Sequence, residues 1–276
     1  MKKTQHLFLM CPPEFFDVSY IINPWMKGNI RAIDNALAKQ QWRDLYDIVC
    51  DHATVRLVLP QPGSPDMVFT ANAGLVLGKH FITSRFRYPE RQYEEPYFAD
   101  WFMDRGFDVK LMPRDIYFEG AGDALFDRGQ GGKNPRLWMA YGHRSLEKAA
   151  DYITDWMGCK VETLKLVDDR FYHLDTCFCP LQDGHVLYYP QAFDTASQAK
   201  IAKLIPEKRR IAVLEEDALA FACNAVNIDK AVIVNKASTD FVSRLDAAGY
   251  EVIQTSLTEF MKAGGSAKCL TLRLNE

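Results

Sequence analysis

The sequence predicts one α/β domain that covers residues 1–276 and is built from repeated units. Three observations lead to this prediction. Helix-like and strand-like patterns alternate along the whole chain. No Ser/Gly-rich linker and no low-complexity tract divides it. Short polar segments recur about every fifty residues, which is typical of repeated supersecondary units.

Each predicted element follows from its local pattern. A helix over 30–50 is predicted from the apolar stripe Ile33, Leu37, Trp42, Leu45 and Ile48. The predicted strands are an opening strand before Cys11, then 54–59, 73–77, 80–83, 108–112, 161–166, 251–254 and 269–274, with short strands around Leu125 and Trp138. The other predicted helices are 96–105, 145–157, 196–204 and 239–248, and Gly158 and Gly249 follow two of them as stop signals.

Composition and charge argue against several classes of function. A formal net charge of −3 and a pI near 6.1 give no reason to expect nucleic acid or an anionic membrane as a partner. The apolar run before Cys11 is too short for a signal peptide or a membrane span. Seven cysteines without framework spacing predict reduced thiols and a cytoplasmic protein. The sequence is compatible with a homo-oligomer and does not decide the oligomeric state.

Cys177 and Cys179 are the one closely spaced cysteine pair in the sequence. On a strand, such a pair points both sulfurs to one face, but no second cluster completes a zinc site. We therefore interpret the pair as part of the core and expect no metal.

Five polar segments carry the fifty-residue recurrence, namely 69–72, 118–123, 173–176, 223–225 and the turn at Cys269. Their key residues, Asn72, Glu119, His173, Asn224 and Cys269, are separated by 47, 54, 51 and 45 residues. We expect each segment at the end of a strand. Five such units closed in a ring would bring the segments to one axis, although spacing alone does not distinguish this from an ordinary α/β chain.

The residue types in these segments suit nucleophilic chemistry. Cys269, His173 and Glu119 supply a thiol, an imidazole and a carboxylate, the parts of a nucleophile, a general acid/base and its orienter. Asp175 lies two residues from His173, so on a strand both side chains share a face. Several carboxylates around a thiol suit a planar cation such as guanidinium. The alternatives are a half-buried strand cysteine, a core histidine, a capping acid and, at Asn72, a turn residue.

Three segments resemble the signature segments of the guanidino-group-modifying (pentein) superfamily. They are Phe118-Glu119-Gly120-Ala121-Gly122-Asp123, His173-Leu174-Asp175-Thr176 and Gly264-Gly265-Ser266-Ala267-Lys268-Cys269. Members include arginine deiminases, dimethylarginine dimethylaminohydrolases and amidinotransferases. The resemblance covers essentially the whole chain and implies a five-bladed α/β propeller, which agrees with the fifty-residue recurrence.

The resemblance also implies roles for individual residues. Cys269 would be the nucleophile and His173 the general acid/base. Glu119 would hold the imidazole and the guanidinium, and Asp175 would clamp guanidinium nitrogens. No metal or organic cofactor is implied, because a covalent sulfur adduct divides the difficult step in two.

Four further residues are implied as substrate contacts. Arg144, in Gly142-His143-Arg144-Ser145, matches a family arginine that binds the substrate α-carboxylate. Arg91 matches a second such arginine less closely, and both could equally be surface arginines. Asn23 and Asp123 lie in segments that carry the resemblance, 22–25 and 118–123.

Asn72 narrows the predicted reaction. Many deiminases and dimethylaminohydrolases have an acid at this position, whereas the amide, with segments 11–13 and 22–25, resembles the arginine dihydrolases. These convert arginine to ornithine, two ammonia and carbon dioxide. An acid gains little from neutral citrulline, but an amide could hold it for a second attack by Cys269. We therefore predict a cysteine-dependent arginine dihydrolase that acts through an S-alkylthiouronium.

The alternatives use the same site. A dimethylarginine dimethylaminohydrolase or a one-step arginine deiminase would stop after one cycle, giving citrulline. An amidinotransferase would need an amine acceptor in place of water. A non-catalytic binding protein of the same fold is disfavoured because Cys269, His173, Glu119 and Asp175 occur together.

Overall fold

The computed structural model describes residues 6–276, and fifteen strands in this range form five three-stranded sheets. Residues 1–5 of the predicted opening strand lie outside the described range. The strands are β1 (Leu7–Met10), β2 (Thr54–Leu57), β3 (Gly74–Leu77), β4 (His80–Thr83), β5 (Asp108–Lys110), β6 (Ala124–Asp127), β7 (Arg136–Tyr141), β8 (Val161–Lys165), β9 (Phe178–Pro180), β10 (Val186–Tyr188), β11 (Arg210–Ala212), β12 (Val226–Ile228), β13 (Ala231–Val234), β14 (Glu251–Gln254) and β15 (Leu272–Arg273).

Every sheet has the same topology. A first strand pairs antiparallel with a second, and the second pairs parallel with a third. The orders are β3-β4-β5, β6-β7-β8, β9-β10-β11, β12-β13-β14 and β15-β1-β2. A helical segment connects the second strand to the third in each sheet, as a parallel pair requires. The five sheets therefore fit the predicted pseudo-fivefold repeat.

The fifth sheet joins distant parts of the sequence. Its first strand, β15, pairs antiparallel with β1, with Phe8 opposite Arg273 and Leu9 opposite Leu272. Strand β1 then pairs parallel with β2. This pairing brings the turn that carries Cys269 next to the beginning of the described chain.

The helices are α1 (Asn35–His52), α2 (Pro89–Gln92), α3 (Glu95–Met103), α4 (Ala149–Met157), α5 (Thr195–Leu204), α6 (Glu215–Leu219), α7 (Thr239–Ala247) and α8 (Thr258–Met261). Helix α1 begins five residues later than predicted because the Asp34 carboxylate caps it, accepting from the backbone N–H of Ala36 and Leu37 at 3.0 Å. The predicted stripe was wrong at Leu37, which is exposed, and Val49 is buried instead.

Helix α4 begins at Ala149 rather than at the predicted Ser145. The Ser145 hydroxyl accepts from the backbone N–H of Glu119 at 3.0 Å and donates to the Asp123 carboxylate at 2.6 Å. These bonds hold Ser145 outside the helix. The predicted stop at Gly158 is confirmed, since this glycine is left-handed (φ 61°).

The prediction that each polar segment lies at the end of a strand was wrong. Each lies immediately before the first strand of a sheet, not at the end of a strand. Three of them form 3₁₀ turns, Thr70–Ala73, Gly120–Gly122 and Leu174–Thr176. Asp175 therefore lies in a turn, not on a strand face shared with His173. The last strand is also shorter than predicted, and Cys269 lies in the turn before it.

Buried apolar side chains from neighbouring sheets and helices form the core, with Trp138 among the largest of them. Cys177 and Cys179 are buried in this core, which confirms their interpretation as packing residues. Within residues 6–276 no helix has both the length and the apolar character that crossing a bilayer requires. The same residues contain no group of three histidine, cysteine or acidic side chains arranged to hold a metal ion.

Candidate active site

The five polar segments meet in a closed series of hydrogen bonds. The Asn72 amide donates to the Glu119 carbonyl at 3.2 Å, which joins the first segment to the second. The remaining links are Leu174 N–H to Asp123 at 3.1 Å, the Asn224 amide to the Asp175 carbonyl at 3.0 Å, Lys268 N–H to the Asn224 carbonyl at 3.2 Å and Ala71 N–H to the Cys269 carbonyl at 3.1 Å. Each segment thus contacts the next, and the fifth contacts the first.

The sulfur of Cys269 contacts side chains of the third and fourth polar segments. Its Sγ lies 3.1 Å from Asn224 Nδ2 and 3.5 Å from Asp175 Oδ2. Burial and the Asp175 carboxylate raise the pKa of the thiol, so it carries its proton in the free protein. Burial also raises the pKa of Asp175, to about 6, against the opposing charge of Lys268. This carboxylate is placed to accept the thiol proton.

His173 and Glu119 form a buried pair. The ring Nε2 lies 2.7 Å from Glu119 Oε2, which also accepts from Arg144 Nη1 at 2.9 Å. Burial lowers the pKa of His173 to about 4, although Glu119 opposes this shift. Burial alone would raise the pKa of Glu119, but Arg144 and His173 hold it well below its usual range. The pair therefore contains a neutral imidazole and an ionised carboxylate at neutral pH.

The two predicted arginines are buried, each 3% exposed, so neither is a surface residue. Arg91 donates to both carboxylate oxygens of Glu94 at 2.8 Å and to Asn72 Oδ1 at 3.0 Å. Arg144 donates to the Ile22 carbonyl at 2.9 Å. Its guanidinium also lies 4.8 Å from the Tyr88 ring centre and 4.5 Å from that of Tyr172.

A narrow cavity of about 10 Å³ lies against the Cys269 turn. Five of the nine predicted site residues line it, namely Asn23, Asn72, Arg91, Arg144 and Cys269. A larger outer cavity of about 290 Å³ shares Ile22, Asn23, Arg144 and Tyr172 with it. These four residues therefore lie at the boundary between the inner cavity and its approach.

Four predicted residues lie behind the cavity lining. Glu119 and Asp175 are bonded to the lining residues Arg144 and Cys269, and His173 is bonded to Glu119. Among the described residues, Asp123 accepts from Ser145 and the Leu174 backbone, so it joins two polar segments instead of facing the cavity. Both ends of the Asn23 amide make structural bonds, since Oδ1 caps Pro24–Met26 and Nδ2 donates to the Ala263 carbonyl at 3.0 Å.

Asp66 is a site residue that the sequence reasoning missed. It is 2% exposed and lines the inner cavity. Its Oδ2 accepts from the Tyr20 hydroxyl at 2.9 Å, whereas Oδ1 has no hydrogen-bond partner in the described residues. Burial raises the pKa of Asp66, and Arg91 opposes this. The signal was its position three residues before the first polar segment, in a Pro/Gly-rich stretch.

Comparison with known proteins shows the family to which the chain belongs. Over 269 residues, or 98% of its length, the chain is 53% identical to the bifunctional arginine dihydrolase/ornithine cyclodeaminase AgrE of Nostoc sp.. It is also 38% identical over 270 residues to the N(G),N(G)-dimethylarginine dimethylaminohydrolase of Mycobacterium tuberculosis, with 97% of this chain and 85% of that protein covered. The chain belongs to the guanidino-group-modifying enzymes.

A solved member of the guanidino-group-modifying enzymes has the same fold over the whole chain. The N-terminal domain of ArgZ, an arginine dihydrolase of the cyanobacterial ornithine–ammonia cycle, superposes with a TM-score of 0.96 at 52% identity and 99% coverage of both chains. That structure is a cysteine-to-serine mutant bound to substrate. The present chain spans about two-fifths of the length of AgrE, 38%. No family model matches it.

Proposed function

We propose that this chain is a cysteine-dependent arginine dihydrolase, which converts arginine to ornithine, two ammonia and carbon dioxide. One observation carries the proposal. A thiol, the buried carboxyl of Asp66 and two buried arginines line one cavity, and Asp175 and a histidine–glutamate pair lie directly behind this lining. The names of AgrE and ArgZ support the same reaction.

The cavity provides complementary charge for both ends of arginine. At its inner part, Asp66 supplies a carboxylate that matches guanidinium N–H groups, and Asp175 lies behind Cys269 at 3.5 Å from its sulfur. Asp66 Oδ1 has no hydrogen-bond partner among residues 6–276 and is free to accept such a bond. Arg144 lies at the boundary with the outer cavity, where its charge suits the substrate α-carboxylate.

The first half of the reaction replaces a C–N bond by a C–S bond. Asp175 accepts the thiol proton, and the Cys269 thiolate attacks the guanidinium carbon. The proton that Asp175 accepted passes to the departing nitrogen, which leaves as ammonia, and an S-alkylthiouronium remains. His173 then removes a proton from water. The resulting hydroxide attacks the same carbon, the C–S bond breaks, and citrulline forms.

A second cycle converts citrulline to ornithine. Cys269 attacks the ureido carbon, a second ammonia leaves, and water hydrolyses the thiocarbamate to a carbamate that loses carbon dioxide. Retention of neutral citrulline is the step that separates a dihydrolase from a deiminase. Asn72 lines the cavity as an uncharged amide, with its Oδ1 oriented by Arg91 and its Nδ2 by the Glu119 carbonyl.

Product analysis with arginine tests the proposal. Two ammonia per ornithine, without accumulating citrulline, are expected, whereas citrulline as the sole accumulating product would identify a one-step deiminase. Cys269→Ser should reduce turnover by at least about 10³-fold, as loss of a nucleophile does.

An Asn72→Asp variant tests the role of the amide. The added carboxylate should release neutral citrulline early, so the citrulline-to-ornithine ratio should rise by about tenfold, equivalent to about 1.4 kcal/mol. Asn235→Asp is the matched control, because Asn235 is a buried amide with structural bonds to Ala220 and Leu257. An unchanged product ratio in Asn72→Asp would remove this residue from the mechanism.

The alternative reaction is dimethylarginine hydrolysis. The Mycobacterium tuberculosis relative, of which 85% is matched, favours this second candidate. Dimethylarginine and arginine should be compared as substrates by kcat/KM. A preference for the methylated substrate would replace the dihydrolase assignment.

The architecture implied by the family is part of the same proposal. The five sheets close into a five-bladed α/β propeller that forms one catalytic domain over residues 1–276. The repeated sheet order, the β15–β1 pairing and the closed series of hydrogen bonds support this closure. A reducing, cytoplasmic setting is inferred from seven cysteines, all of them free thiols.

A further inference from the structure

A second cavity lies along the strands that start at the polar segments. It has a volume of about 60 Å³ and shares no described lining residue with the cavity at Cys269. First strands from four sheets contribute to its wall through Phe126, Pro180, Asn227 and Arg273. Lys268 also lines it, so the wall of this cavity reaches the residue next to the nucleophile.

The wall of this second cavity carries an excess of positive charge. Arg128, Lys268, Arg273 and Glu276 line it. Arg128 pairs with Glu276, but neither Lys268 nor Arg273 has an ion pair among residues 6–276. The Lys268 ammonium donates to the Ala121 carbonyl at 3.2 Å, and one guanidinium N–H of Arg273 donates to the His6 ring.

Arg273 is the strongest sign of a missing ligand. It is 9% exposed, and its Nε has no hydrogen-bond partner in the described structure. The Glu276 carboxylate favours the charged form of Arg273 without forming an ion pair with it, but burial has the larger effect and lowers the pKa of Arg273, because hydration is removed and not replaced. An oxyanion in the cavity would supply both the acceptor and the charge.

We propose that this second cavity binds a small oxyanion, of the phosphate or bicarbonate class, on Arg273, Lys268 and Arg128. The planar guanidinium fork of Arg273 matches two oxyanion oxygens, and the Lys268 ammonium contributes a point charge. The anion takes the place of the missing acceptor at Arg273 Nε.

The site is connected to the nucleophile through Lys268, which directly precedes Cys269. The positive charge of Lys268 favours ionisation of Cys269 and Asp175. An anion beside Lys268 offsets that charge and makes the thiolate less abundant. The other charged or titratable groups around the thiol are Asp66, Arg91, Arg144, Tyr172 and Asp175, and the anion does not contact them.

Thermal unfolding of the full chain in phosphate-free buffer tests binding. Inorganic phosphate and bicarbonate are added separately, with chloride at equal ionic strength as the reference. We expect Tm to rise by about 3 °C at several times the Kd. The oxyanion that stabilises more at equal concentration identifies the class of ligand. If neither raises Tm above the chloride reference, the site does not exist.

Charge-removing variants test the location. Arg273→Gln should abolish the rise in Tm, and Arg128→Gln, at the more exposed rim, should reduce it without the same risk to folding. Arg244→Gln removes an exposed charge from α7 and serves as the matched control. A wild-type response in both Arg273→Gln and Arg128→Gln would overturn the assignment.

Alkylation of Cys269 by iodoacetamide, quantified by peptide mass spectrometry, tests the connection to the nucleophile. The bound oxyanion should slow alkylation about threefold, equivalent to about half a pH unit in the thiol titration. The effect should disappear in Arg273→Gln and become smaller in Arg128→Gln. No arginine turnover is needed, so this result is independent of the proposed reaction. An unchanged alkylation rate with bound oxyanion would overturn the connection.

Discussion

Asn224 orients the nucleophile through both ends of its amide. Its Oδ1 accepts from the backbone N–H groups of Ser266 and Cys269 at 3.2 and 3.1 Å, and its Nδ2 donates toward the sulfur at 3.1 Å. The residue is completely buried. The fifty-residue spacing placed Asn224 among the key residues, but an asparagine by itself indicated no catalytic role. Its geometry makes it a positioning residue that also stabilises the thiolate.

The Asn224→Ala variant should make the thiol harder to ionise, because the thiolate loses a hydrogen-bond donor. The pH midpoint of Cys269 alkylation should rise by about one unit, and kcat/KM at neutral pH should fall by about tenfold. Asn235→Ala is the control. Asn235 is also a buried amide, and it bonds to the backbone of Ala220 and Leu257 instead of to the thiol. Equal alkylation profiles for the two variants would contradict the positioning role.

His173 should make stability depend on pH. Its pKa is about 4 in the folded protein and near 6.5 in the unfolded chain, so the unfolded chain binds more protons between these values. Stability is therefore lost as pH falls through this window. The free energy of unfolding of the wild type should decrease with falling pH more steeply than that of His173→Gln, by up to about 1.4 kcal/mol per pH unit. Urea unfolding at pH 7, 6 and 5 measures both slopes, and equal slopes would show that folding does not lower the pKa of His173.

At the scale of one element, the Cys269 turn depends on the glycine pair before it. Gly264 is left-handed (φ 86°), and a Cβ there would lie 2.7 Å from the Tyr172 hydroxyl. A Cβ on Gly265 would lie 2.4 Å from the Phe69 ring. The pair allows the turn to approach the first polar segment closely.

Gly265→Ala should displace the turn and destabilise the protein by about 1–3 kcal/mol, as overpacking does. The loss of kcat/KM should exceed the loss expected from unfolding alone, because the turn carries the nucleophile. Adding Phe69→Ala removes the clashing ring and should restore part of the activity of Gly265→Ala. Urea unfolding and kcat/KM measure the two effects. A Gly265→Ala variant with wild-type activity would show that the close approach is not required.

For the whole molecule, the β15–β1 pairing determines whether the site forms. The pairing sets Leu9 opposite Leu272, both almost fully buried in the same apolar cluster. Because β15 directly follows the Cys269 turn, loss of this pairing would release the nucleophile from the other segments.

Leu9→Ala should destabilise the whole molecule by about 2–5 kcal/mol through the cavity it leaves. Leu57→Ala, in the third strand of the same sheet, removes the same atoms from a side chain that is 43% exposed and should cost less than about 0.5 kcal/mol. Thermal unfolding of both variants, with activity followed over the same temperatures, makes the comparison. Similar losses of stability in Leu9→Ala and Leu57→Ala would mean that Leu9 stabilises the fifth sheet less than its burial indicates.

The sequence alone predicted most of the helices and strands and most residues of the candidate site. The strands near 73–83, the helix stop at Gly158 and the glycine pair before Cys269 all follow from local patterns, because backbone preferences act over a few residues. The chemical types in the five polar segments also pointed to Cys269, His173 and Glu119 without tertiary information.

Only the tertiary structure decided how these residues are used. The position of each polar segment before its strand, the partner of Asn224, the structural use of Asp123 and the role of Asp66 depend on contacts between segments about fifty or more residues apart. A sequence pattern records the spacing of such segments but not the direction from which their side chains approach. The hydrogen bonds that join the five segments, and the β15–β1 pair, exist only once distant parts of the chain have met.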